Sequence, residues 1–131
     1  MKTSFYLYFL LLSTTVFSQE FKQNLESIKT DYQICLNKGK VMYNCSLSYY
    51  KKSDSLLNVV YNYIRKDMTV LEKNKLKQEQ LIWLKERDHS FNKMNSKNEG
   101  MDALMIQTQK KSDLINKRTS YLINHFIEHN P

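Results

Sequence analysis

From Tyr43 to Met68 the chain keeps one period without a break: Tyr43, Leu47, Tyr50, Asp54, Leu57, Tyr61, Ile64 and Met68 follow at alternating steps of four and three. That spacing lines them along one stripe of an α-helix but scatters them over both faces of a strand, so the segment reads as a helix. A stripe of this length demands a helical partner along all of it. Asp54 interrupts the otherwise apolar line. A carboxylate buried there without a partner would be costly and would tend to protonate, so the pattern predicts a cation or several donors facing it.

Three further segments share the helical period. From Gln19 to about Asn37, Phe21, Leu25, Ile28, Tyr32 and Cys35 recur at steps of three and four, and Gly39 is the natural stop because glycine adopts the left-handed C′ conformation freely. A helix from about Thr69 to Ser96 carries Leu76, Gln80, Trp83, Arg87 and Phe91, widened by Leu81 and Leu84. The cluster Asn95 to Gly100 then breaks the pattern with turn formers. A final helix from about Met101 to Ile127 sets Leu104, Thr108, Ile115, Arg118, Leu122 and His125 near one face. With only two Gly and one Pro in the chain, the elements are long and the links short. The expected fold is all-α: a compact antiparallel bundle of about four helices with short connections.

The amino terminus has the features of a signal peptide: Lys2 near the start, an apolar run through Leu12, and small or polar residues up to Ser18. Cleavage is expected after Ser18; the alternative is an uncleaved anchor, for which the apolar run is short. No cysteine stands at the cut, which argues against a lipoprotein. Removing residues 1–18 from 131 leaves 113, enough for a single domain over residues 19–131 with one modest core. Loss of Lys2 lowers the formal charge from +7 to +6. A basic surface speeds encounter with anionic partners, and export argues against nucleic acid among them. An anionic envelope surface or a protein partner remains. Cys35 and Cys45, an even pair in an exported chain, are expected to form a disulfide across the turn at Asn37 to Lys40; free thiols or an intermolecular bridge are the alternatives.

Among polar residues, Gln80, Trp83 and Arg87 share one helical face, and Arg87 is the candidate partner for Asp54 across the interface. Asp54, Asn58, Gln80, Arg87 and Asp88 read either as a groove that recognises a ligand or as a buried network that fixes helix register; the second is favoured, because helical seams often use polar groups in this way. Trp83, set among Leu76, Leu84 and Phe91, reads as core. Tyr49 and Tyr63 fall off the stripe and are expected at the surface. His125 and His129 lie four apart, but two ligands do not make a metal site. Glu86 and Asp88 point in different directions on a helix, no Ser-His or Cys-His arrangement stands in an active-site context, and glycines are too few for a phosphate loop. The expectation is a chain that is not an enzyme and has no cofactor or metal.

Taken in order, Cys35, Cys45, Asp54-x-x-Leu57-Asn58-x-x-Tyr61, Gln80-x-x-Trp83-x-x-x-Arg87-Asp88 and Arg118-x-x-x-Leu122 resemble the LprI amino-terminal-domain family, small exported helical proteins of bacteria named for a lysozyme inhibitor. The resemblance covers about residues 35 to 122. It implies a helical binding module whose partner is a lysozyme or another envelope or host protein, with Arg118 joining the polar set. The alternative is a structural envelope protein that contacts anionic wall or membrane material. Phe91 stands where family members commonly carry a cysteine, and a further late cysteine is also missing, so Cys35 and Cys45 are the only pair available for an intrachain bridge.

Overall fold

The computed structural model describes residues 3–39, 41–95 and 100–128, with side chains from Val16 onward. Helix α1 spans Thr3–Asn37, α2 Met42–Arg65, α3 Val70–Asn95 and α4 Gly100–Leu122, and α4 runs on into a π-helical turn, Ile123–Glu128. No strand occurs among the described residues. The start and stop signals act as their chemistry requires. Gly39 takes φ 66° and its N–H bonds back to the Leu36 carbonyl at 3.2 Å, ending α1. At the head of α3, the Glu72 carboxylate accepts from the Thr69 N–H at 2.7 Å while the Glu72 N–H reaches Thr69 Oγ1 at 3.3 Å, a reciprocal capping box. The Thr69 hydroxyl, which donates to the same carboxylate at 2.7 Å, and then the Thr69 N–H hold the Glu72 carboxyl below the usual range.

Successive helices run antiparallel: Cys35 near the end of α1 bonds Cys45 near the start of α2 while Phe21, midway along α1, meets Tyr63 near the end of α2, and Gln80 in the first half of α3 meets Arg118 near the end of α4 while Asn95, at the end of α3, meets Lys111 midway along α4. The most extensive interface, however, joins α2 to α4, which are not consecutive in the chain. Serine and threonine explain it. Ser46, Ser53, Ser112 and Thr119 are wholly buried, beside Val60, Ile115 and Leu122. Small side chains let two helices approach closely, and interaxial distance follows the residues at the contact. Hydroxyl burial is inexpensive where the oxygen bonds within its own helix, as Ser46 does to the Met42 carbonyl at 3.2 Å, Ser112 to Thr108 at 2.9 Å and Thr119 to Ile115 at 3.1 Å.

Around this pair, α1 contributes Phe21 and Leu25 to the core, and α3 contributes Leu76 as its one buried side chain. The buried face of α2 is therefore not the stripe the periodicity picks out. Ser46, Tyr49, Ser53, Leu56, Leu57, Val60 and Ile64 are buried, whereas Tyr43, Leu47, Tyr50, Asp54 and Tyr61 are half-buried on the flank toward α3. Close approach to α4 selects the small-residue face, and the larger side chains are displaced to the shoulder.

Cys35 and Cys45 form a disulfide with a Cα separation of 5.8 Å, closing the α1–α2 hairpin. Beside it Tyr32 and Tyr49 stack at 4.7 Å with their planes 6° apart. Tyr49 is thus buried rather than exposed, at 4 % accessibility. Its hydroxyl donates to Asp113 at 3.0 Å and accepts from Asn116 Nδ2 at 2.9 Å. Burial first, then the neighbouring Asp113 carboxylate, pushes the Tyr49 phenol up to about 12. Tyr63 is half-buried against Phe17 and Phe21.

Candidate functional site

Ile115 and Leu122 point α4 into the core, and Arg118, between them, comes out on the side that α3 covers. Its accessibility is 8 %, low for an arginine, so its partners decide its energetics. The guanidinium lies between two helices: Nε donates to Gln80 Oε1 at 3.0 Å and Nη1 pairs with Glu79 Oε1 at 3.0 Å, both on α3. Nη2 is buried with no hydrogen-bond partner. The faces of the group meet rings, Trp83 with its centroid at 5.7 Å and Tyr121 at 4.9 Å.

Trp83 and Tyr121 extend this contact in both directions. Arg87 lies over Trp83 at 5.6 Å and over Phe91 at 5.5 Å, and Lys111 reaches the Phe91 ring at 5.2 Å. On the other side His125 stacks on Tyr121 at 5.3 Å and meets Phe126 edge-on at 4.8 Å. The result is one alternating stack of cations and rings along the α3–α4 seam. Each cation is drawn to the negative face of a ring, an attraction that grows as water is removed. Phe91, where a cysteine is usual in the family resemblance, contributes one step of the stack and also touches Tyr50 at 6.3 Å.

Of the polar residues singled out in the sequence, Gln80, Trp83, Arg87, Asp88 and Arg118 come together here. Asp54 and Asn58 do not join them. The Asp54–Arg87 pairing expected from the seam is absent: Arg87 donates from Nε at 2.9 Å and from Nη2 at 2.7 Å to its own neighbour Asp88. The reason is the stack, which turns the Arg87 guanidinium toward Trp83 and Phe91. Asp54 is only half-buried, its charge open to water, and Asn58 bonds back to the Asp54 carbonyl at 3.0 Å. Tyr50 lies between the two groups. Its phenol is pushed up by burial first and then by the Asp54 carboxylate, with Arg87 opposing.

Trp83 is half-buried, one edge in the core and the rest against the two arginines. His125 is exposed, and His129 lies outside the described residues, as do positions 96–99 of the Asn95 to Gly100 turn cluster. Among the described residues no group of three or more His, Cys, Asp or Glu is placed to hold a metal. Glu79 and Tyr121 were not singled out in the sequence. Tyr121 could have been found from its position three residues after Arg118, one helical turn away; Glu79 carries no local signal.

Beside the stack lies a pocket of about 360 Å³, its wall formed by Trp83, Arg87, Arg118 and Tyr121 and its rim by Glu86 and Lys117. Among the described residues no helix is long and apolar enough to cross a membrane.

A disulfide-closed α-helical bundle, with α3 held to its centre by a cation–aromatic stack, defines a small all-α domain. The chain belongs to the LprI family: the match, to the family described as lysozyme inhibitor LprI, runs over residues 35–122. That range takes in the disulfide and the stack from Phe91 through Tyr121. No curated protein and no solved structure matches the chain.

Proposed function

We propose that this chain is an exported binding module that inhibits a lysozyme and is not itself an enzyme. The observation that carries the reading is the family match over residues 35–122, which encloses every contact of Arg118 described above. The reading includes removal of residues 1–18 during export. Charge sets the condition under which inhibition is to be sought. An exported chain of net charge +6, after loss of Lys2 from the +7 of the full sequence, meets a basic lysozyme against long-range repulsion, while the carboxylates that flank the bond a glycosidase cleaves attract cations locally. Added salt screens the first effect more than the second, because contact pairs are screened less than distant ones.

The test is a lysozyme assay with purified protein across a range of ionic strength. Saturable inhibition that persists or strengthens at moderate salt supports the proposal. Absence of inhibition at every salt concentration overturns it. A second reading, a structural protein that rests on anionic wall or membrane material, draws on the exposed lysines of α2 and α3, such as Lys51, Lys52, Lys75, Lys77 and Lys85. Co-sedimentation with wall or lipid, without inhibition, selects that reading.

A further inference from the structure

The pocket between α3 and α4 has a chemistry of its own. Arg87, Lys117 and Arg118 line it with positive charge, and Glu86 is the one acidic side chain in its lining. Arg87 commits Nε and Nη2 to Asp88 and has Nη1 left to offer a ligand, and a charged N–H of this kind pairs with a carboxylate. Arg118 commits Nε and Nη1 to α3 and leaves Nη2 buried and unpartnered. A buried donor without an acceptor is an unfavourable state that an entering anion relieves. Tyr121, whose ring lies beside the Arg118 guanidinium in the pocket's lining, is 42 % exposed.

The remaining walls restrict which anion fits. Trp83, Tyr121 and Leu114 supply apolar surface, while Glu86 and Ser90 supply hydrogen-bonding oxygens. A bare inorganic anion would leave the apolar wall unused. A sugar bearing a carboxylate would use every part: C–H faces against rings, hydroxyls to Glu86 and Ser90, carboxylate to the arginines. At about 360 Å³ the pocket lies within the range of small-ligand sites, and it is concave where a protein contact surface would be broad.

The geometry points to a binding site for a carboxylated saccharide at the α3–α4 seam, with Arg87, Lys117 and Arg118 receiving the carboxylate. This site is independent of whether the chain inhibits a lysozyme, because the saccharide is bound as a ligand and no enzyme takes part.

The test titrates the purified chain with N-acetylmuramic acid and with N-acetylglucosamine, which has the same ring without the lactyl carboxylate. Calorimetry gives the affinity, and the single tryptophan, Trp83, reports the site by fluorescence. The acid sugar is expected to bind saturably and about tenfold or more tightly than the neutral one, the loss that one charge-assisted contact brings. Lys117→Glu, on an exposed residue, is expected to weaken the acid sugar by a similar factor with the unfolding midpoint unchanged; Lys117→Gln serves if that variant folds poorly. Equal affinity for the two sugars, no saturable binding, or unchanged affinity in the Lys117 variant overturns the assignment. So does tighter binding of a short poly-glutamate peptide, which would mark the seam as a contact for protein carboxylates.

Discussion

Arg118→Ala tests whether the bundle is locked where the structure places the lock. The substitution removes the Nε bond to Gln80, worth about 1.5 kcal/mol for a charged donor, and ring contacts with Trp83 and Tyr121 worth about 0.5–1 kcal/mol each. The ion pair to Glu79 adds less than about 1 kcal/mol, because that carboxylate is 40 % exposed and screened by water. Packing of the arginine stem contributes about another 1 kcal/mol. Against these stand the relief of the unpartnered Nη2 and the side-chain entropy regained, together about 2 kcal/mol in the opposite direction. The net expectation is a loss of about 2.5 kcal/mol.

Urea unfolding followed by circular dichroism measures the loss, and Trp83 emission locates it: the ring sheds its arginine and gains water, so emission moves to the red before global unfolding. Arg118→Lys keeps the charge but not the planar stacking and is expected to lie between alanine and parent. Asp54→Ala is the control. Its carboxylate is half-exposed and unpaired with Arg87, so the expected cost is below about 1 kcal/mol. Were Asp54→Ala to cost as much as Arg118→Ala, or Arg118→Ala to leave both midpoint and Trp83 emission unchanged, the reasoning would be refuted.

Other outcomes follow from the same contacts. Reducing the Cys35–Cys45 bridge, whose sequence separation is 10, should cost about 2.5 kcal/mol by loop-closure entropy, seen as a lower urea midpoint in reductant. Tyr49 has a folded-state pKa raised to about 12 from 10.0, so the stability it contributes is full below pH 10 and is lost as pH rises toward 12. Ultraviolet titration should therefore show a tyrosine that resists ionisation past pH 10, and Tyr49→Phe should remove that late step. The intact mass of protein recovered after export should correspond to a chain beginning at Gln19; a mass that retains residues 1–18 would contradict the signal-peptide proposal.

How far the sequence could be read depended on whether a property belonged to one helix or to two. Helix number, the Gly39 stop and the α1–α2 bridge follow from local chemistry, and all are present. The period from Tyr43 to Met68 correctly marked a helix but not its most buried face. Ser46, Ser53, Ser112 and Thr119 look like surface residues until the opposing backbone is close enough to bury them. That closeness belongs to the α2–α4 pair, not to either segment. Tyr49 was misplaced for the same reason: its burial depends on Tyr32, Asp113 and Asn116 from two other helices. At the site, the spacing of Gln80, Trp83 and Arg87 gave their common face, while their partner, Arg118, lies on another helix and outside the reach of periodicity.

The attachment of α3 has a dynamic consequence. Leu76 is its one buried side chain, and Val70, Leu71, Leu81 and Ile82 remain exposed, so polar and cation–aromatic contacts hold it more than apolar burial does. An element with few buried apolar contacts opens at lower free energy than the core around it. Arg118 is both the main tie between α3 and α4 and part of the pocket between them. A carboxylate that takes up Arg118 Nη2 while touching Arg87 would bridge the two helices, stabilising the attached state by mass action. Hydrogen exchange in saturating N-acetylmuramic acid should therefore slow most in α3, with amides along the Ser53–Val60 stretch of α2 little changed. Saturable binding that slows exchange equally in every helix would show that the ligand stabilises the whole bundle, and that α3 is not a separately opening unit.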